Sequence, residues 1–146
     1  MEEINDIYTD LVMEHSMNSY NKKHIDCPTC SLKAHNPNCG DEITLSLVTE
    51  NGVIKDMAFS GYGCAISQSS TSIMIDTLKG QTIEKAKQII DIYLRMIKRE
   101  EISNEEKRLL KDSIAFENIA NMPARVKCAT LAWHTLDDML NGKTEN

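Results

Sequence analysis

The sequence predicts an α+β fold, a small antiparallel sheet with helices packed on one face. Three observations carry that expectation: a helical apolar period at the start, one stretch of strict alternation around an Asn-Gly turn, and helical periods through the second half. The 146 residues and 41% hydrophobic content suit one domain spanning 1–146, with little room for a second core.

Ile4, Ile7, Tyr8, Leu11, Val12 and His15 recur at three- and four-residue spacing, which predicts an amphipathic first helix over residues 4 to 15. His15 continues that stripe and is read as packing or surface, with docking as its alternative role. Residues 16 to 41, SMNSYNKKHIDCPTCSLKAHNPNCGD, lose the period among polar residues, prolines and cysteines, and read as a long loop of the functional kind. Ile43, Leu45 and Leu47 then alternate with Thr44 and Ser46. Asn51-Gly52 tolerates the positive φ of a tight hairpin, and Val53 to Phe59 forms the second strand. Gly61-Tyr62-Gly63 leads into a helix that starts at or just after Cys64 and ends at Leu78, with Gly80 as its stop. Ile83, Ala86, Ile90, Leu94 and Ile97 predict another helix over 83–98. Residues 100 to 121 read as a short helix with a loop, its acidic run Glu100 to Glu106 a solvated face. Pro123 opens a last helix through Ala129, Trp133, Leu136 and Leu140, with Trp133 in the core and His134 beyond the third cysteine motif.

Composition excludes several functions. The 22 acidic residues against 16 basic ones give a net charge of −6, without the basic excess that a nucleic-acid backbone requires. No apolar run approaches the roughly 20 residues of a membrane span, and the acidic start MEEINDIYTD lacks the pattern of a secretory signal. The chain reads as cytoplasmic. Five cysteines, at 27, 30, 39, 64 and 128, are an odd number, which in a reducing compartment points to metal ligation or thiol chemistry. Ser67, Ser69 and Ser70 have no matching histidine–acid pattern, so a serine hydrolase is not supported.

Cys39 and Asp41 flank a single glycine in Asn36-Pro37-Asn38-Cys39-Gly40-Asp41, which places a thiol and a carboxylate where both can face one metal. Cys64 opens a helix and Cys128 falls early in the last one. The unpaired N–H groups and partial positive charge of a helix start favour the thiolate, the form that ligates metals and attacks sulfur. Three thiolates and one carboxylate make the four ligands zinc prefers. Aspartate is the weakest of these partners and would make the site exchangeable. Inert burial of at least one of these cysteines is the plain alternative.

The segments Asn36 to Asp41, Gly61-Tyr62-Gly63-Cys64-Ala65-Ile66-Ser67 and Pro123 to Leu131 resemble, in order, the three cysteine motifs of the IscU, SufU and NifU N-terminal family of iron–sulfur cluster assembly proteins. The resemblance covers nearly the whole chain and implies a SufE/IscU-like fold. It is closest to the SufU type, since IscU-type members carry histidine where Lys127 stands, and residues 100 to 121 look like the SufU insertion. The resemblance implies zinc held by Cys39, Asp41, Cys64 and Cys128. It further implies Cys39 as acceptor of persulfide sulfur from a SufS-like, pyridoxal-phosphate cysteine desulfurase, and downstream iron–sulfur assembly proteins as further partners. The activity would be at most that of a zinc-dependent sulfurtransferase. The alternative is a scaffold that builds and passes on a [2Fe–2S] cluster on the same four residues, with iron in place of zinc. A third reading makes zinc a purely structural ion in a regulatory module. Arg125, one helical turn before Cys128, also matches the SufU pattern; its cation would offset the site's excess negative charge, or else form a surface ion pair. Lys127 is read as solvated or part of a docking surface.

One feature departs from the family. Cys27-Pro28-Thr29-Cys30 lies between His24 and His35, and this group could ligate a second metal, form a reversible or sulfur-relaying pair, or remain two unused thiols.

Overall fold

Alternation along Asp41–Glu50 buries Asp41, Ile43, Leu45 and Leu47 and leaves the residues between them half-covered, as a strand packed on one face requires. A computed structural model describes residues 10–17, 19–36 and 40–142. Its sheet is an antiparallel meander of β1 (Cys30–Asn36), β2 (Asp41–Glu50) and β3 (Val53–Tyr62), in that order. Helix α1 (Asp10–Met17), α2 (Ala65–Leu78), α3 (Ile83–Ile97), α4 (Asn104–Leu110), a 3-10 helix (Lys111–Asn121) and α5 (Pro123–Leu140) complete the described residues. The expected α+β class is what forms.

Between β2 and β3, Asn51 and Gly52 adopt φ of 54° and 77°, the doubly left-handed geometry of a tight hairpin. The register then runs Leu45 opposite Phe59 and Glu42 opposite Tyr62. Strand β1 corrects the long-loop expectation for residues 16 to 41. Leu32, Ala34 and Asn36 turn inward while Lys33 and His35 are exposed, so a period of two is present, in a stretch too short and polar to stand out. Pairing with β2, from Cys30 opposite Leu47 to Asn36 opposite Asp41, supplies what local propensity does not. The segment before β1 also has a structural task. Phe59 N donates to Asn21 O and Lys23 N to Phe59 O, at 3.1 and 3.0 Å, so residues 21 to 23 cover the outer edge of β3.

The first helix is described from Asp10 and runs on to Met17; the predicted apolar positions Ile4, Ile7 and Tyr8 lie outside the described residues. His15 joins it to α2, with Nδ1 2.6 Å from Ser72 Oγ. Helix α2 is buried almost all round although it is rich in serine and threonine. Its hydroxyls turn back onto the helix, with Ser69 donating to Ala65 O at 2.6 Å, Thr71 to Ser67 O at 2.8 Å and Thr77 to Ile73 O at 2.8 Å. Such back-bonding lets small polar residues sit in a core without orphaned groups, and small residues let neighbouring helices come close.

Helix α3 is amphipathic and starts on Thr82, whose hydroxyl accepts from Lys85 N. Residues 100 to 121 hold more structure than a short helix and a loop. A capping box of Ser103 and Glu106 starts α4, and a 3-10 helix follows it. Glu106 also pairs with Arg95 of α3, so the acidic run is not wholly a solvated face. That guanidinium holds the Glu106 carboxyl below the usual carboxylate range.

A buried polar knot fixes α5 over α2 and α3. Ser70 Oγ and the Tyr93 hydroxyl both donate to the Ala129 carbonyl, at 2.7 and 2.9 Å, Trp133 Nε1 donates to Ser70 Oγ at 3.1 Å, and the Tyr93 and Trp133 rings stack at 3.8 Å. Ala129 follows Cys128 directly, so this knot sets the position of the third cysteine.

Burial pushes the Tyr93 phenol well above its ordinary value. A raised folded-state pKa means that its stabilising contribution is complete below the unfolded value of about 10 and falls as pH rises further. Tyr93→Phe is expected to cost about 1 kcal/mol at pH 7 through the lost hydrogen bonds, and to weaken the loss of stability between pH 10 and 11. Denaturant unfolding across pH 7 to 11 measures both effects.

Candidate metal centre

Three elements deliver one side chain each to the same place. Asp41 is the first residue of β2, Cys64 is the N-cap of α2 and Cys128 lies in the second turn of α5. Their ligand atoms all fall within 4.8 Å of one another. Among the described residues, this is the group of three or more histidines, cysteines or acids placed to share an ion. Asp41 is wholly buried and Cys128 nearly so, while Cys64 is half-buried and gives the cluster its opening.

Asp41 Oδ1 accepts from Cys64 N at 3.0 Å, which ties the start of β2 to the start of α2. Its other oxygen, Oδ2, is buried with no hydrogen-bond partner. An ionised carboxylate oxygen left that way costs on the order of several kcal/mol, and a cation facing it removes the cost. Two thiols and a carboxylate also match the donor chemistry of a zinc site. The residues present therefore fit such an ion.

Cys64 Sγ accepts from Ser67 N at 3.4 Å, the capping bond of α2, so one of the sequence's two helix-start arguments has its geometry. For Cys128 the reasoning differs. It sits past the first turn, where the backbone N–H groups no longer lack partners, and its position owes more to the Ala129 knot than to a helix end.

Cys39 lies outside the described residues, as do Pro37 and Asn38. Arg125 is half-buried in the first turn of α5, one turn ahead of Cys128. Lys127 is exposed. Together with His134, His35 and Leu32 it lines a groove of about 780 Å³ between β1 and α5.

The second cysteine group does not converge. His24 is exposed and pairs with Asp26 at 3.0 Å, Cys27 is exposed, and Cys30 opens β1 at the end away from Asn36 and Asp41. Cys27, Cys30, Cys64 and Cys128 are thiols rather than disulfides, and burial pushes the Cys30 thiol up. A strand of seven residues spans roughly 20 Å, so a direct relay from Cys30 to Asp41 has that distance to cover.

On the outer face beside the centre, Glu42 pairs with Lys33 and accepts from the Tyr62 hydroxyl at 2.9 Å. The Lys33 ammonium first, and the Tyr62 hydroxyl second, hold the Glu42 carboxyl below its ordinary range. This row braces the two strand ends that carry Asp41 and Gly63.

Sequence reading missed Gly63 and Ser67 as parts of the centre. A Cβ on Gly63 would lie 2.8 Å from Asp41 Oδ1 and 3.0 Å from Ser67 Oγ, so the missing side chain is what lets the carboxylate reach Cys64 N. The signal for Gly63 was the glycine pair before the cysteine. Ser67 had only its place three residues after a helix cap.

A family model described as NifU-like N terminal domain matches residues 7–129. The chain is 37% identical over 134 residues to the iron–sulfur cluster assembly scaffold protein IscU of Thermotoga maritima, covering 92% of each chain. It is 34% identical over 131 residues to the zinc-dependent sulfurtransferase SufU of Bacillus subtilis, covering 90% of this chain and 87% of that one. Its fold is similar to the crystal structure of a putative iron–sulfur cluster assembly scaffold protein for the SUF system from Fervidobacterium islandicum AW-1. The TM-score is 0.84 at 34% identity, over 90% of this chain and 94% of that one.

The two glycines ahead of Cys64 should fail differently. Gly61 has φ of 108° and an added Cβ would lie 2.0 Å from Glu42 O, so Gly61→Ala is expected to cost about 2 kcal/mol or more in global stability. Gly63→Ala crowds the Asp41 and Ser67 side chains instead, and is expected to leave a folded protein that binds an added divalent metal less well. Chemical denaturation and metal analysis of the two variants separate the outcomes.

Proposed function

The chain belongs to the family of NifU-like N-terminal domains, and from that premise we propose that it serves iron–sulfur cluster assembly as a zinc-bound acceptor and carrier of sulfur. The observation that carries this reading is the buried Asp41 carboxylate, with one oxygen held by Cys64 N, the other without a partner, and two thiols within 4.8 Å of the carboxylate. Cys39, Asp41, Cys64 and Cys128 would hold the ion. Zinc supplies charge that keeps thiols deprotonated at neutral pH and draws the three motifs together.

Cys39 is the proposed acceptor. It stands two residues before Asp41, and two residues of chain span at most about 7 Å, a separation short enough for its thiol to reach the centre. In the transfer, the Cys39 thiolate attacks the terminal sulfur of a cysteine persulfide on the donor. The donor's S–S bond breaks, its thiolate leaves, and Cys39 becomes the persulfide, with no net oxidation. Arg125 would offset the negative charge of three thiolates and a carboxylate, since a residue three positions ahead of Cys128 faces the same side of α5. The donor is a cysteine desulfurase of the SufS type, and cluster-building proteins downstream take the sulfur on. The 146 residues would act as one domain, in a cytoplasm that keeps its cysteines reduced; among the described residues no helix is long and apolar enough to cross a membrane.

A second reading treats a [2Fe–2S] cluster as cargo assembled on the same donors. The relative from Thermotoga maritima, named as a scaffold, favours it as much as the Bacillus subtilis sulfurtransferase favours the first. Lys127, standing where IscU-type members carry histidine, tilts the choice toward the carrier.

Anaerobically purified protein is expected to be colourless with one zinc and to raise the turnover of its desulfurase. Cys39→Ala should lose that stimulation while remaining folded by circular dichroism. Brown protein with stoichiometric iron and sulfide supports the scaffold instead, and unchanged stimulation in Cys39→Ala removes the proposed acceptor.

A further inference from the structure

Every buried hydroxyl of α2 except one has a partner. Ser69, Thr71 and Thr77 bond back along the helix, Ser70 reaches Ala129 O, and Ser72 meets His15, Ser19 and Asn21. Ser67 is the exception: it is 1% exposed and its Oγ has no hydrogen-bond partner. The carbonyl it would reach by back-bonding is that of Gly63, and the side-chain amide of Gln68 already donates there at 2.9 Å. The hydroxyl makes no bond along its own helix, at a position where an unpaired polar atom is costly.

Its surroundings say what it can serve. The point that a Cβ on Gly63 would occupy lies 3.0 Å from Ser67 Oγ and 2.8 Å from Asp41 Oδ1, so hydroxyl and carboxylate border one small space. Ser67 N already holds Cys64 Sγ, which fixes the residue against the cluster from its backbone side. Two buried polar atoms without partners, Ser67 Oγ and Asp41 Oδ2, belong to the same few residues.

We propose that Ser67 is a positioning residue of the metal centre: its hydroxyl, unpaired in this structure, donates a second hydrogen bond to the Asp41 carboxylate when the ion is bound, and so fixes the face that the carboxylate turns to the two sulfurs. The inference rests on the zinc-bearing reading of the site and names what aims its weakest ligand. With Cys64 N donating from one side and Ser67 from the other, the carboxylate meets the ion in one orientation. Without the hydroxyl it keeps only the Cys64 bond and can rotate. Removing a group that orients a metal ligand typically weakens metal affinity by about 10- to 100-fold.

The test is zinc affinity of the full chain, by competition with a chelator of known affinity, for wild type, Ser67→Ala, Asp41→Asn and the double variant. Ser67→Ala is expected to raise the zinc dissociation constant by about 10-fold or more. Asp41→Asn should raise it further, and the double variant should be no worse than Asp41→Asn, because Ser67 acts through Asp41. In metal-stripped protein, Ser67→Ala should unfold at the same temperature as wild type or higher, since it deletes an unpaired buried hydroxyl. An unchanged dissociation constant, additive losses in the double variant, or a less stable metal-stripped protein would each overturn the assignment. A wild-type chain that takes up no zinc overturns the zinc-bearing reading as well, which separates the two failures.

Discussion

The constraint on which the centre depends is the single hydrogen bond from Cys64 N to Asp41 Oδ1. It joins the first residue of β2 to the cap of α2, two points that the chain separates by a whole hairpin. For the bond to form, β2 and β3 must be in register, the hairpin must close at Asn51-Gly52, and residue 63 must lack a side chain. Each of these is a backbone requirement. None of them is an apolar contact, and yet together they bury a carboxylate completely.

Burying that carboxylate sets a conflict inside the fold. The carboxylate shares its space with two thiols, which carry negative charge themselves when they ligate, so without a cation the centre gathers groups that repel one another once ionised. The rest of the protein overcomes this from behind. The Ala129 carbonyl, held by Ser70 and Tyr93, and the Tyr93–Trp133 stack lock α5 in place without help from the centre. Helix α2 contributes to both sides, since Ser70 belongs to the knot and Ser67 to the centre, one helical turn apart.

The sequence made the regular elements legible where a single period ran long enough. Helices α3 and α5 follow from the spacing of apolar residues, with Pro123 as the start of α5, while α2 was bounded by Cys64 and Gly80 as punctuation, and Asn51-Gly52 marked the hairpin. Strand β1 was hidden because its inward residues are Leu32, Ala34 and Asn36, of which one alone is strongly apolar; its existence depends on a partner strand, which local pattern does not report. Residues 100 to 121 were under-read for a related reason, as Glu106 bonds both to its own helix start and to Arg95 on another helix. At the centre, cysteine and aspartate announced themselves by residue type. Gly63 and Ser67 did not, because their part is defined by where Asp41 comes to rest, a tertiary fact.

A carrier and a scaffold ask different things of such a centre. A scaffold must hold a growing cluster on all its donors, whereas a carrier needs firm donors beside one that can leave. Asp41, Cys64 and Cys128 sit at the ends or within the turns of packed elements, which makes them suited to the firm part. In sequence, Cys39 falls between Asn36 and Asp41, which face each other across a strand pair, and it lies outside the described residues. Three donors held by packed elements therefore supply the firm part that either device needs, and under the proposed reading the exchangeable part falls to Cys39.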